Sequence, residues 1–131
     1  MRFVDTSFWV ALQLQRDPHH GEARVLWRER PQALLTTNHV LGETWTFLRR
    51  RVGHQAARDF VARAFRSPRL SVEHVDEAAE EDAWLWLRRH DERSYSFVDA
   101  TSFATMRRRR LLEALAFDGD FTAAGFVEVR P

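Results

Sequence analysis

The feature that most constrains the fold is the alternation of short apolar runs with longer segments of helical periodicity. The runs at 2–5, 33–37, 70–75, 111–117 and 126–129 predict strands, and the segments between them predict six helices. Strands that alternate with helices usually pair in parallel, because each helix returns the chain to the same end of the sheet. We therefore expect one domain over 1–131, an α/β three-layer sandwich around a mostly parallel sheet of four to five strands.

Composition excludes several kinds of chemistry. The chain has no cysteine, which rules out disulfides, thiolate catalysis and cysteine-ligated zinc, and no lysine, which rules out a catalytic amine. A net charge of +1 gives no strong overall field of the kind found in proteins that coat nucleic acids. No run has the length and apolar character of a membrane helix or a signal peptide, so we expect a cytoplasmic protein.

Polar residues just before the helical segments predict where the helices begin. The expected N-caps of the first, third, fifth and sixth helices are Ser7, Asn38, Asp76 and Ser96. Asp17 and Pro18 are placed to open the second helix, which is expected to reach about Arg30 and to end at Pro31.

Apolar positions within the segments predict the core. The expected buried residues are Phe8, Ala11 and Leu12 in the first helix, Ala57, Phe60, Val61, Ala64 and Phe65 in the fourth, and Leu112 and Ala114 to Phe117 in the last central strand. The segment 84–87 of the fifth helix is apolar on all sides. Either the core is thick there, or part of this helix contacts another chain.

Four carboxylates fall at predicted junctions between strands and helices. Asp5 and Asp118 follow strands, while Glu43 and Asp99 lie in the first turns of helices. In a right-handed βαβ arrangement all four positions face one edge of the sheet. Ordinary explanations stay open, since Asp5 and Asp99 can cap helices and Asp118 can begin a turn. Glu43 has only His39 as a basic residue three or four places away, which favours a functional role.

Carboxylates that converge repel one another, and a cation relieves this repulsion. Hard oxygen ligands with open coordination positions suit Mg²⁺ or Mn²⁺, and the implied chemistry is hydrolysis of a phosphate ester. The adjacent pair His19 and His20 does not add to this set, because neighbouring helical residues point in different directions. We expect both histidines at a solvated helix start.

Four segments, in this order and at these spacings, carry a resemblance to a known family. They are FVDTS at 3–7, NHVLGE at 38–43, SFVDATS at 96–102 and AFDGDF at 116–121, with AGF at 124–126 behind the last. On these segments the chain resembles PIN-domain ribonucleases, in particular the VapC-type toxins of toxin-antitoxin pairs. The resemblance covers nearly the whole chain.

The resemblance implies an acidic cluster of Asp5, Glu43, Asp99 and Asp118, in which Asp5 and Asp99 are the direct metal ligands. It also implies supporting hydroxyls, which are Thr6 or Ser7 and, as a weaker candidate, Ser102. The last segment departs from the family pattern, because Ala116 stands where members often carry Thr or Ser. This departure leaves the roles of Asp118 and Asp120 open. We favour Asp118 because it ends the strand, with Asp120 behind it or at a second ion.

The resulting hypothesis is a Mg²⁺-dependent endoribonuclease. One or two ions polarise a phosphodiester of single-stranded or looped RNA and deprotonate a water for in-line attack. The resemblance further implies a homodimer that is inhibited by a small antitoxin protein whose tail enters the acidic groove. The alternative is a catalytically inactive member of the same fold that binds RNA or protein.

Two arginine runs, at 49–51 and 107–110, end helices that begin at the carboxylate edge. After roughly ten residues the runs lie ~15 Å toward the opposite edge. We expect them to complement helix dipoles. They contact RNA only if the RNA wraps around the protein, or if a dimer mate brings its own run close to the site.

Overall fold

The computed structural model describes residues 1–29 and 32–131 of the chain. Within these residues a single sheet of five strands is formed by β1 (Arg2–Val4), β2 (Leu34–Thr37), β3 (Leu70–Glu73), β4 (Glu113–Leu115) and β5 (Val127–Glu128). The order is β3-β2-β1-β4-β5, and each neighbouring pair is parallel. The predicted α/β fold is confirmed.

The helices of the described residues are α1 (Thr6–Gln13), α2 (His20–Arg28), α3 (Asn38–Arg51), α4 (His54–Arg66), α5 (Glu77–Arg89), α6 (Phe97–Arg109) and the short α7 (Asp120–Ala123), which was not predicted. The predicted start of α2 at Pro18 is two residues too early. Asp17 instead forms a turn, in which its side chain accepts from the His19 N–H at 2.8 Å. The predicted helix end at Arg30 and Pro31 lies outside the described residues.

Two predicted N-caps were placed too late in the chain. Asp5, not Ser7, caps α1, and Thr37, not Asn38, caps α3 through a hydrogen bond from the Val40 N–H at 3.1 Å. In both places the residue that leaves the strand has an extended backbone and already carries an oxygen acceptor. The helix therefore begins directly at the strand end.

The sheet is covered on both faces. All of the residues of β2, which point alternately to opposite faces, are buried. Two predicted core positions are wrong, because Phe65 is 66% exposed and Leu112 is 68% exposed. Phe65 lies off the buried side of α4, and Leu112 lies just before the first residue of β4.

The apolar segment of α5 is only partly covered by the chain. Trp86 packs against Tyr95 and Phe103, with ring centroids 4.7 and 5.0 Å away. Trp84 and Leu85 remain about half exposed, at 51% and 48%. Contact of this surface with another chain stays a prediction.

None of the helices in the described part of the chain is long and apolar enough to cross a membrane.

The strand order places a crevice beside the centre of the sheet. From β1 the chain first builds outward through β2 and β3, and later returns to add β4 and β5 on the other side. The carboxyl ends of β1 and β4 therefore border the point where the winding reverses, which is where open α/β sheets bind ligands. Asp5 directly follows β1, and Asp118 comes three residues after β4.

Candidate active site

All four predicted carboxylates line one cavity at this crevice. The cavity has a volume of about 350 Å³, and its wall includes Asp5, Glu43, Asp99 and Asp118. Each arrives on a different element: the end of β1, the second turn of α3, the first turn of α6 and the loop after β4. The structure thus brings together residues that are up to 113 positions apart in the chain, from Asp5 to Asp118.

Asp5 is held in place by Ser7. The Asp5 Oδ2 atom accepts hydrogen bonds from the Ser7 N–H at 3.0 Å and from the Ser7 hydroxyl at 2.7 Å. The same hydroxyl oxygen accepts from the Phe117 N–H at 2.9 Å, which links the ends of β1 and β4. Asp5 therefore caps α1 and lines the cavity at the same time. Thr6 also lines the cavity, and its buried hydroxyl has no hydrogen-bond partner within the described residues.

Burial raises the pKa of the three aspartates in the cavity wall that the sequence predicted, Asp5, Asp99 and Asp118. Desolvation raises the pKa of Asp5 from 3.8 to about 8, and the nearby Asp118 carboxylate adds to this rise. Desolvation also raises the pKa of Asp99 to about 6 and, in direction, the pKa of Asp118. A cavity that disfavours its own negative charges in this way favours a bound cation.

Asp99 combines a structural role with its place in the cavity. Ser96, the predicted cap of α6, accepts from the Asp99 N–H at 2.9 Å, and the Asp99 carboxylate accepts from the Ser96 N–H at 2.9 Å. This capping box fixes the carboxylate at the first turn. Ser102 is not in the wall of this cavity, and its buried hydroxyl donates to the Val98 carbonyl at 2.9 Å.

Asp120 lies next to the cavity rather than in its wall. One carboxylate oxygen from each of Asp99, Asp118 and Asp120 lies within 4.8 Å of the other two, a spacing that fits a hard divalent cation. Arg93 already pairs with Asp120, donating from Nε to its carboxylate at 2.8 Å. The same guanidinium donates to the Asp118 carbonyl at 3.2 Å.

The loop that carries Asp118 is held by Glu128, which the sequence analysis missed. The Glu128 side chain is 3% exposed and accepts from the N–H groups of Gly119 at 3.2 Å and Thr122 at 3.0 Å. Gly119 has a φ of 80°, a left-handed conformation that glycine adopts without strain. The role of Glu128 depends on the pairing of β5 with β4, which no local pattern around Glu128 reveals.

His19 is a further residue of the site that was not predicted as such, because its sequence neighbours indicate only a solvated helix start. Its ring lines the cavity and stacks on Phe117, with the centroids 4.5 Å apart and the planes 3° from parallel. Its Nδ1 lies 3.1 Å from a Glu22 carboxylate oxygen. The expected solvated helix start is confirmed, since His19 is the N-cap of α2 and its side chain is 41% exposed. Its ring in addition forms an aromatic wall of the cavity together with Phe117. The Nδ1 atom of His20 lies 2.8 Å from the Ala11 carbonyl oxygen.

Comparisons with known proteins show which family and which relatives this chain is similar to. The family model of the PIN domain matches residues 2–127 of the chain. The 23S rRNA-specific endonuclease VapC20 of Mycobacterium tuberculosis is 61% identical over 132 aligned residues, which cover 100% of this chain and 99% of the relative.

Solved structures of similar fold were also found. The crystal structure of Mycobacterium tuberculosis VapC20, described as a Sarcin-Ricin loop cleaving toxin, has a TM-score of 0.95 and 59% identity, with 100% of both chains covered. A toxin-antitoxin complex from Klebsiella pneumoniae has a TM-score of 0.68 at 19% identity, covering 98% of this chain and 100% of the other. FitAcB from Neisseria gonorrhoeae has a TM-score of 0.67 at 14% identity, covering 98% and 96%. The last two show a shared fold.

Proposed function

The chain belongs to the PIN domain family, and from this membership we propose that it is a metal-dependent endoribonuclease, the toxin of a toxin-antitoxin pair. The observation that carries the proposal is the meeting of Asp5, Glu43, Asp99 and Asp118 in one cavity. The relative at 61% identity is named as a 23S rRNA-specific endonuclease, so we propose ribosomal RNA as the substrate class.

The carboxylates of the cavity supply the ligands that Mg²⁺ and Mn²⁺ prefer. We assign Asp5, Asp99 and Asp118 as the residues that would hold the ion, with Glu43 and Asp120 beside them. When bound, the ion supplies polarisation of the phosphodiester and activation of the attacking water.

The remaining work is done by the protein's own groups. Ser7 fixes the Asp5 carboxylate through two hydrogen bonds, so that the carboxylate does not have to be ordered when a substrate arrives. Because the pKa of Asp5 is raised to about 8 by burial, its carboxyl holds a proton at neutral pH when no cation is bound. Cation binding therefore releases a proton and makes affinity increase with pH.

The direct test is cleavage of ribosomal RNA by the purified protein, with Mg²⁺ and with a chelator. We expect cleavage only with the metal, and its loss in Asp5→Asn with the fold retained. Asp59→Asn is the matched control, because Asp59 is an exposed aspartate of α4 that does not line the cavity. Normal metal-dependent cleavage by Asp5→Asn would contradict the assignment. RNA binding without cleavage by the wild type would favour the inactive binding module.

We also propose two protein partners. The fold is shared with a chain from a toxin-antitoxin complex, which supports a cognate antitoxin as the inhibitor. The half-exposed apolar residues of α5 support a homodimer. With ribosomal RNA as its substrate, the protein would act in the cytoplasm.

A further inference from the structure

A second groove leads away from the acidic cavity along α3. Glu43 and Phe47 line both the cavity and the groove, so the two adjoin. Arg50 and Arg51 line the groove further along the helix. Phe47 lies four positions after Glu43, and Arg50 and Arg51 lie three and four positions after Phe47. At these spacings the four residues share one face of α3. A basic track thus begins where the acidic cavity ends.

The two arginine runs differ in what they contact. In the second run, Arg108 donates to Asp76 at 2.9 Å and Arg109 donates to Glu73 at 2.7 Å. In the first run, no carboxylate of residues 1–29 and 32–131 lies within 4.0 Å of a guanidinium nitrogen of Arg49, Arg50 or Arg51. The guanidinium of Arg51 lies over the Phe47 ring, 5.2 Å from its centroid.

An acidic cavity creates a problem for a polyanionic substrate. A bound divalent cation compensates the phosphate at the point of cleavage, but the next phosphates along the strand still approach a carboxylate-rich wall. Arginine side chains beside that wall offset this repulsion and bind phosphate oxygens through paired N–H groups. Arg50 lies about 10 Å along the helix axis from Glu43, a distance that its long side chain shortens by leaning toward the helix start.

We propose that this groove binds the phosphate backbone of the RNA next to the bond that is cut, with Arg50 and Arg51 as the phosphate contacts. The proposal rests on the nuclease function and adds the path of the strand. It changes the expectation for the run at 49–51, which the sequence assigned to the helix dipole. The run at 107–110 keeps a structural role through Asp76 and Glu73.

The test is an equilibrium binding measurement that does not need cleavage. A fluorescein-labelled single-stranded oligonucleotide with the sequence of a ribosomal RNA loop is titrated with protein in EDTA, and anisotropy is followed over a series of KCl concentrations. We expect Arg50→Gln/Arg51→Gln to bind about tenfold more weakly. We also expect the slope of log affinity against log salt to become shallower by about 1.4, since each contact with single-stranded phosphate contributes about 0.7.

Two control variants separate local contact from total charge. Arg108→Gln/Arg109→Gln removes the same charge from the other run, and Arg49→Gln removes an exposed arginine of α3 that does not line the groove. Both should bind RNA nearly as the wild type does. Unfolding curves for all variants establish that the fold is retained, and Gln keeps part of the side-chain stem against Phe47.

Several outcomes would contradict the proposal that the groove binds RNA. These are unchanged affinity and slope in Arg50→Gln/Arg51→Gln, an equal loss in the control pair, or a wild type that does not bind the oligonucleotide at low salt. A variant with normal RNA affinity and an altered molar mass by light scattering would identify the groove as a protein interface instead. A failure here leaves metal-dependent cleavage standing, while binding through Arg50 and Arg51 without any cleavage would contradict the nuclease alone.

Discussion

At Asp5, a structural role and a proposed chemical role fall on one side chain. Both of its hydrogen bonds within the described residues go to Oδ2, from the Ser7 N–H and the Ser7 hydroxyl. The carboxylate can therefore cap α1 with one oxygen and keep the other for a ligand. A capping residue and a site residue are not alternatives when the helix begins at the edge of the sheet where ligands bind.

The raised pKa of Asp5 predicts how stability depends on pH when no metal is bound. Because burial raises the pKa from 3.8 to about 8, the folded state holds a proton that the unfolded state releases. The contribution of Asp5 to the stability of the folded state is therefore fully present below about pH 4 and is lost progressively as the pH rises toward 8. Urea unfolding of EDTA-treated protein across this range measures the change, and Asp5→Asn should flatten it.

The raised pKa values of Asp99, at about 6, and of Asp118 act in the same direction, so Asp5→Asn should leave a smaller decline. Mg²⁺ should restore most stability at the alkaline end, where the carboxylates are ionised. Stability that rises between pH 4 and 8 in EDTA, or a decline unchanged in Asp5→Asn, would contradict this account.

At the scale of elements, Ser7 joins three of them. Its hydroxyl donates to Asp5 at the end of β1 and accepts from the Phe117 N–H after β4, while the residue itself lies in the first turn of α1. Ser7→Ala leaves the Phe117 N–H without its acceptor and removes a donor from the buried Asp5. We expect a loss of about 1–3 kcal/mol in the free energy of unfolding, measured by urea denaturation.

Thr46→Ala is the matched control for this change. The Thr46 hydroxyl also makes a hydrogen bond, to the Gly42 carbonyl at 3.1 Å, but at an exposed position of α3. Its removal should change the free energy of unfolding by no more than about 0.5 kcal/mol. Equal effects of the two substitutions would show that the link between β1 and β4 does not stabilise the fold.

The elements that the sequence predicts well are those with one clear cap. Asp76 precedes an acidic first turn and Ser96 has a capping-box partner in Asp99, and α5 and α6 begin where expected. Where two capping residues stand close together, as at Asp5 and Ser7, the geometry of the preceding strand decides which of them caps the helix. No local pattern carries that information. The acidic residues of the site are predictable because the ends of strands and helices converge there. His19 is not, because it lines the site by stacking on Phe117, which lies 98 positions further along the chain.

For the whole molecule, the net charge of +1 conceals a strong local separation of charge. The acidic cavity and the basic part of the α3 groove share Glu43 and Phe47, so opposite charges adjoin on one surface. Such a surface can bind a cation and a polyanion side by side, although the total field is weak. Composition excludes a protein that coats nucleic acid, but it does not exclude one that binds a single strand at a defined place.

The proposed homodimer is the prediction that belongs to the whole molecule. Trp84 and Leu85 are 51% and 48% exposed on α5, and Trp84 stacks on Phe97 with the ring centroids 4.3 Å apart. Phe97 is the first residue of α6, two positions before Asp99, so a second copy on this surface would lie near the cavity. We expect Leu85→Glu to convert a dimer into a monomer, because a charge buried at an apolar contact is costly. Leu112→Glu, at a leucine that is 68% exposed and lies between α6 and β4, should remain dimeric. Light scattering coupled to size exclusion measures both masses, and a dimer that survives Leu85→Glu or dissociates in Leu112→Glu would place the interface elsewhere.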